Sequence, residues 1–506
     1  MKKLRFGVKK LYDGILNLIE KYYWFFFAGM VAVTAFLCFR CLDIAYVSSW
    51  DEARHGVSAY EMMQNGNYIV NTFGYEPDYW NLKPPLSFYG IMLGFQLFGY
   101  SVTGLRFYSA CAYLLTCIAI GLFLKKYHKL TSLIGMCFLC CNYYVLGFHC
   151  ARSGDADALF LMFFVFAMLA MLEIPKKHSR LYICGFCFAC AFLTKSFHAG
   201  VIAAIGGLYL ILTGEIKRIK PKEWLYFILS FLIPLGSWFV ARFSQDGFAF
   251  FREMLFTDLL SRSSSASEGH AGNFWFYYEA YFKDFDRIYP YLLITVAVGA
   301  CFYGVRAIRN KALSAEKREE IIGYSLWLIV PFLFFSAVST KLVWYGYPIF
   351  IPLFMIAAIF VGKFLTEELA KDQLWALLLK VVVAVFFVAL IYTKMYDTYL
   401  YAVREIHGDE LQTFIAESVE RDSDYAGVTA YIDAPQEKED GAIWNQHVRF
   451  LAEISGDFRC KDGGTETFVK DKGAVLYISM DRYEEKKESL QEYTILEKKG
   501  NYILLK

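Results

Sequence analysis

The sequence predicts a polytopic α-helical membrane protein of about 11 spans, closed by a small soluble α/β domain. Three observations predict it. The 506-residue chain is 57% hydrophobic and 19% aromatic, with a mean hydropathy of +0.36, more apolar than an ordinary soluble domain. Apolar runs of about 18 residues or more recur along most of it, the length that crosses a bilayer. After about residue 396 those runs stop and charged residues become frequent. The net charge of +2 carries no signal for nucleic acid; what matters is where the positive residues sit.

Residues 1–21 are rich in Lys and Arg and form the cytoplasmic N-terminus. Tyr22 to Val47 reads as an uncleaved first span. Its apolar part is too long for a signal-peptide core, and no small-residue cleavage site follows. Residues 48–98 form the first outer loop. Its apolar run 86–98 is too short to cross at 1.5 Å per residue and lies along the outer surface. The remaining spans are 104–124, 130–149, 156–173, 181–194, 198–213, 223–242, 288–305, 321–338, 343–362 and 374–395. Two of these, 181–194 and 198–213, are short, so the range is 11–13.

With 86–98 lying flat, the basic loops Lys125/Lys126/Lys129, Lys176/Lys177/Arg180, Lys217/Arg218/Lys220/Lys222 and Arg306/Arg309/Lys311/Lys317/Arg318 share the cytoplasmic side. If 86–98 crossed, all of them would move outside. An odd span count then puts residues 396–506 outside the cytoplasm, and the whole in the cell (plasma) membrane. In that tail "YAGVTAYID" (425–433), "GAVLYISM" (473–480) and the pair around Gly500 read as strands. Residues 409–422 and 443–454 read as amphipathic helices. Alternation of the two predicts a small α/β domain.

The chain has 13 cysteines. Cys184, Cys187 and Cys190 have CxxC spacing but lie in an apolar helix with no accompanying His or acid, where Cys acts as a small hydrophobe.

The predicted topology gathers the unusual chemistry on the outer face. Asp51 and Glu52 follow the first span directly, either as an interfacial pair ending a helix or as functional carboxylates, since charge beside hydrocarbon is costly unless it lines a cavity. Lys83 precedes Pro84 and Pro85, which push it out of helical geometry and hold its ammonium at the lipid-phosphate level; plain snorkelling is the other reading. Asp155 and Asp157 open another span with Arg152 nearby, as helix-start carboxylates or as a weak metal signal. His55, His149, His198 and His270 are scattered, with bland interfacial roles.

"WDEARHGVSAYEMMQNGNYIVNTFGYEPDYWNLKPPL" (50–86) resembles the first outer loop of the GT-C glycosyltransferases of the protein O-mannosyltransferase and lipid A aminoarabinose transferase group. That loop carries an acidic D-E, then E-M-x-x-(S/N)-G-(D/N)-(W/Y)-I-V, then K-P-P. "LFGYSVTGLRFYSA" (97–110), "RSGDADALFLMFF" (152–164), "FLTKSFHAG" (192–200), "HAGNFWFYYEAY" (270–281) and "FFSAVSTKLVWYGYP" (334–348) resemble later blocks in the same order, so the likeness covers about residues 20–365.

The resemblance implies GT-C architecture over residues 22–395, with outer juxtamembrane helices. It also implies an enzyme that moves a sugar from a polyprenyl-phosphate donor to a lipid, glycan or protein acceptor at the outer face. Asp51 would be the base, with Glu52 and Asp155 as further catalytic carboxylates. Arg54, Lys83, Arg262 and Lys341 would hold the donor phosphate. Asp157, Lys195 and His270 are further candidates. No cofactor is expected with assurance and no His/Cys metal cluster is apparent, though a divalent metal stays open. The sequence departs from the group in the extra carboxylate of "SGDADA" and in an unmatched C-terminal domain, which leaves the acceptor open. A flippase of lipid-linked sugar would share the cavity and its cations without needing a base, but would carry inverted repeats. A sugar- or peptide-sensing membrane protein would need neither. In the 243–287 outer loop, the serine-rich patch 261–269 is expected to be mobile and to be ordered by donor through Arg262.

Overall fold

The computed structural model of the chain describes residues 2–48, 50–261, 270–284, 288–309, 313–368, 374–404, 409–418, 425–434 and 446–506. Its helices are α1 (Lys2–Lys21), α2 (Tyr23–Phe39), α3 (Asp51–Asn65), α4 (Leu86–Phe98), α5 (Val102–Leu124), α6 (Lys129–Cys140), the short α7 (Tyr143–Gly147), α8 (Asp157–Met171), α9 (Arg180–Lys195), α10 (Gly200–Thr213) and α11 (Pro221–Asp246). After shorter segments come α12 (Ile288–Arg309), α13 (Ala315–Ala337), α14 (Tyr347–Thr366), α15 (Leu374–Tyr399), α16 (Glu410–Ser418) and α17 (Gln446–Gly456).

Seven described runs are long and apolar enough to cross a membrane by length and composition, and Arg180–Thr213 is one of them. That 34-residue run is not one crossing. His178 Nε2 lies 3.2 Å from Glu215 Oε2, so the two residues bracketing the run meet. The chain therefore turns back at Ser196–Ala199, and α9 and α10 form a hairpin, as two short spans. Ion pairs assign the other ends. Lys126–Glu173, Lys126–Glu320, Lys176–Glu316, Arg218–Glu319, Arg306–Glu367 and Lys129–Glu20 all gather at the end of the bundle that carries α1. The passages α2, α5, α6–α7, α8, α9, α10, α11, α12, α13, α14 and α15 then alternate, as the sequence predicts. Outward faces are strongly apolar, with Val240, Val298, Ile308 and Trp375 all exposed, as lipid contact requires.

Residues 1–21 differ from a plain polar leader. Lys2–Lys21 is a helix bent 76° from the first span. Phe6, Leu11, Ile15 and Leu18 are exposed along it, while Tyr12 donates to the Leu365 carbonyl at 2.6 Å. An amphipathic helix lying across the span axis suits the membrane surface.

The opposite end is built by α3, the two-stranded ribbon β1 (Thr72–Phe73) and β2 (Glu76–Pro77), and α4. The 13-residue α4 packs flat on α5: a Cβ on Gly94 would stand 1.9 Å from the Gly104 carbonyl oxygen, so only glycine permits that approach. The first span ends at Phe39, earlier than Val47. Its last carbonyls, at Leu37, Cys38, Arg40 and Cys41, accept hydrogen bonds of 2.8–3.2 Å from the Arg152 guanidinium. This satisfies carbonyls that a helix end leaves open and sets a cation at its negative pole.

The described residues from 409 onward form the α/β domain, with sheet order β4-β3-β5-β7-β6 from β3 (Thr429–Asp433), β4 (Arg459–Cys460), β5 (Val475–Ser479), β6 (Ile495–Lys499) and β7 (Tyr502–Leu505). β3 runs parallel to β4 and β5, whereas β7 is antiparallel to β5 and β6. The two-residue β4 has no period to read, so the sequence missed it. The domain docks on α3: the Phe450 ring lies where a Gly56 side chain would go, and Gln412 exchanges hydrogen bonds of 2.8 and 3.0 Å with the Val47 backbone. The domain's core and that of α3–α5 form one apolar cluster.

Candidate active site

The site lies at the domain end of the bundle, where α3, the Pro84–Pro85 corner and the 148–156 loop meet. Asp51 is the first residue of α3. Lys83 stands just before the prolines that start α4, and its Nζ lies 3.4 Å from Asp51 Oδ1. The two side chains are 27% and 18% exposed, enough to meet a ligand. Asp155 arrives from the loop before α8. Its side chain is 1% exposed, and Ser153 Oγ donates to its Oδ2 at 2.5 Å. Tyr108 and Ser109 donate to its main-chain carbonyl and fix the loop.

His149 completes the group. Its Nδ1 lies 2.9 Å from Asp155 Oδ2, and its ring stacks on Trp344 with centroids 3.8 Å apart. It holds a backbone φ of +51°, uncommon for a residue with a Cβ. Asp51, His149 and Asp155 each bring one oxygen or nitrogen within 4.8 Å of the others, and they are the one such His/Cys/acid group among the described residues. The Cys184/Cys187/Cys190 spacing makes none.

Burial works against ionised Asp51, but Lys83 foremost, with His149 and Lys195, outweighs it and holds this carboxyl well below the usual carboxylate range. Burial and the Lys83 charge push His55 down to about 4, so it stays neutral near pH 7. His55 Nδ1 faces the Asp51 carbonyl; it trims the helix start and stays out of the charge cluster.

The other expected site residues divide. Asp157 and Lys195 form a buried ion pair, with the ammonium 4.8 Å from the Tyr345 ring centroid. They lie close enough that Lys195 acts on Asp51 through space. Glu52 points away from the site, 1% exposed. Arg106 grips it at 2.6 and 3.0 Å, and the amides of Ser48 and Gly154 fill its remaining positions. Glu52 is a tie between α3, α5 and the 154 loop. Arg54 clamps Asp78 in two bonds of 2.9 and 3.0 Å, between the rings of Phe73 and Trp80.

Lys341 is buried, and its Nζ donates to the carbonyls of Phe335, Ser336 and Val338, where it caps α13. His270 is exposed, and its carbonyl accepts from the Lys341 amide at 2.9 Å. Arg262 lies outside the described residues, with most of the 261–269 patch expected to act as a lid.

Sequence reading gives His149 only a bland interfacial role and passes over Trp344, Arg106 and Asp78. The first two stand in blocks already recognised, "GFHCARSGDADA" and "KLVWYGYP", but nothing local says that they stack on each other across 195 positions.

Comparison with known proteins places this arrangement. A family model described as dolichyl-phosphate-mannose-protein mannosyltransferase matches residues 82–238. An undecaprenyl phosphate-alpha-4-amino-4-deoxy-L-arabinose arabinosyl transferase of Pseudomonas fluorescens is 24% identical over 338 residues, 64% of this chain and 56% of that protein. Its counterpart in Shewanella sediminis is 25% identical over 335 residues, 64% of this chain and 58% of that protein. The matches thus span less than two thirds of these relatives' length. The crystal structure of ArnT from Cupriavidus metallidurans bound to undecaprenyl phosphate superposes with a TM-score of 0.64 at 17% identity, covering 95% of this chain and 97% of that one. The resemblance to the mannosyltransferase and aminoarabinose transferase group is borne out, and the fold is the GT-C fold of ArnT.

Proposed function

We propose that the chain is a membrane glycosyltransferase that takes a sugar from a polyprenyl-phosphate donor and passes it to an acceptor at the domain end of the bundle. The observation that carries this is the partly open Asp51–Lys83 pair beside Asp155, at the domain end of a bundle with an ArnT-like fold. Lys83 receives the donor phosphate. The acceptor hydroxyl oxygen forms the new bond to the anomeric carbon while the bond from that carbon to the phosphate oxygen breaks. Its electron pair leaves with the lipid phosphate, whose added charge Lys83 faces. The hydroxyl proton passes to Asp51 as the bond forms. The ionised carboxylates of Asp51 and Asp155 face the positive charge that builds at the anomeric carbon.

The N-terminus is cytoplasmic in this reading, because the basic loops gather at the α1 end; the site and the α/β domain then face out of the cytoplasm, at the cell membrane. The curated relatives are named for an aminoarabinose on undecaprenyl phosphate, so a pentose donor of that kind is the first to test. Purified chain in vesicles should release polyprenyl phosphate from an undecaprenyl-phosphate-linked aminoarabinose when given extracted envelope lipids or glycans. A parallel reaction with the mannose-linked donor reports sugar selectivity. Donor that crosses the bilayer intact and unconsumed would replace transfer with transport.

A further inference from the structure

We propose that Asn71, oriented by Arg242 of α11, is a positioning residue that sets Lys83 for the donor phosphate, an inference that rests on the reading of Lys83 given above. It starts from a buried charge. Trp238 and Arg242 are the two buried residues of α11, and an ionised side chain within a span is costly and marks function by default. Arg242 is 1% exposed. Its Nε and Nη2 lie 2.9 and 2.7 Å from Asp246 Oδ2. Its Nη1 donates to Asn71 Oδ1 at 3.0 Å and to the Ile69 carbonyl at 3.2 Å.

A guanidinium only donates, so the Asn71 amide must turn its oxygen toward Arg242 and its nitrogen away. On that far side Asn71 Nδ2 donates to the Asn81 carbonyl at 2.9 Å and to the Asp78 carbonyl at 3.3 Å. The Asn81 amide in turn donates to Asp78 Oδ1 at 3.1 Å. Both main-chain polar groups of Asn81 are thus held. Leu82 is buried in one apolar cluster with Trp238 of α11 and with Phe250. Lys83 comes next, ahead of Pro84 and Pro85. A lysine ammonium is a point charge on a flexible four-carbon stem, so the backbone from which the stem starts decides where the charge can reach. Arg54 grips Asp78 separately, and neither the bond from Arg242 to Asn71 nor the bond from Asn71 to Asn81 involves it.

The test is a titration of the purified full chain in detergent micelles with undecaprenyl phosphate, with thermal unfolding of each variant alongside. Asn71→Ala should weaken binding about three- to tenfold in the parent but less than about 1.5-fold in Lys83→Ala, because a residue that acts through Lys83 has nothing to act on once Lys83 is gone. Arg242→Lys keeps a charge for Asp246 but loses the fork that also reaches Asn71. It should show the same dependence on Lys83, and it carries the test where Asn71→Ala folds poorly. Arg54→Ala loosens the same loop and leaves these bonds in place, so it reports a merely structural effect. A loss from Asn71→Ala that is equal in both backgrounds, or no larger than that of Arg54→Ala, overturns the positioning role and leaves the proposed function standing. Binding by Lys83→Ala at the parent's affinity refutes the phosphate reading of Lys83 and this inference with it.

Discussion

Lys83 and Arg54 entered the sequence analysis as equals, and the structure separates them. Lys83 makes one long 3.4 Å contact to the partly exposed Asp51, whereas Arg54 is spent on Asp78. Lys83→Ala should therefore weaken binding of a polyprenyl-phosphate donor about 10- to 100-fold, the worth of one charge-assisted hydrogen bond. Lys83→Arg should recover only part, since Pro84 fixes the stem direction. Arg54→Ala should change donor affinity little and loosen the 66–82 loop, visible as faster proteolysis there; equal losses of affinity in both variants would reject the division. Glu52 and Arg106 are 1% and 2% exposed. Removing either partner, as in Arg106→Ala, strands a buried charge and should cost about 3–5 kcal/mol of stability, measured by thermal unfolding in detergent. Asp51 and Lys83 were legible because charge at a bilayer edge and a following Pro-Pro are local signals. Glu52 and Arg54 gave the same local signals. Their partners stand 54 and 24 positions away, and no spacing rule names a partner at such range.

The element that joins chemistry to the α/β domain is α3, with Asp51 at one end and Glu61 near the other. Glu61 and Glu453 are both fully buried, and their carboxyl groups hydrogen-bond each other. Burial, and for Glu453 the Glu61 charge next, raises both above the ordinary carboxyl range. A raised carboxyl holds its proton in the docked state, so its contribution is complete below about 4.5 and is lost as pH climbs through the raised value. The parent should accordingly melt at progressively lower temperature as pH rises from about 4.5 to the raised value and change no further above it from this contribution, and Glu453→Gln should flatten the dependence and raise the melting point at pH 7–8. A steeper slope in the variant would contradict the pairing. In sequence, α3 reads only as part of the outer loop, whereas α17 is legible by its apolar period. Their docking is not, because it depends on Phe450 meeting Gly56, a vacancy that only the folded α3 presents. The amphipathic α1 escaped for a different reason: its charges dominate a window read for spans.

At the scale of the molecule, the count of charges in short loops fixed the alternation, and the ion pairs gather those loops at one end as that count requires. The short runs 181–194 and 198–213 are the instructive case. Composition merges them into a single crossing, whereas the His178–Glu215 contact shows a hairpin, which carries Lys195 up to Asp157. The arrangement brings one end of a helical bundle, the short α4 and a docked domain around a single carboxylate. The central claim is that Asp51 takes part in breaking the bond between sugar and lipid phosphate. The direct measurement loads parent and Asp51→Asn with the same occupancy of polyprenyl-phosphate-linked sugar, adds acceptor, and follows release of polyprenyl phosphate in one turnover. The account predicts donor binding within about threefold of the parent and release slowed at least about 100-fold, the scale of a lost general base. Release at the parent rate by Asp51→Asn would contradict it.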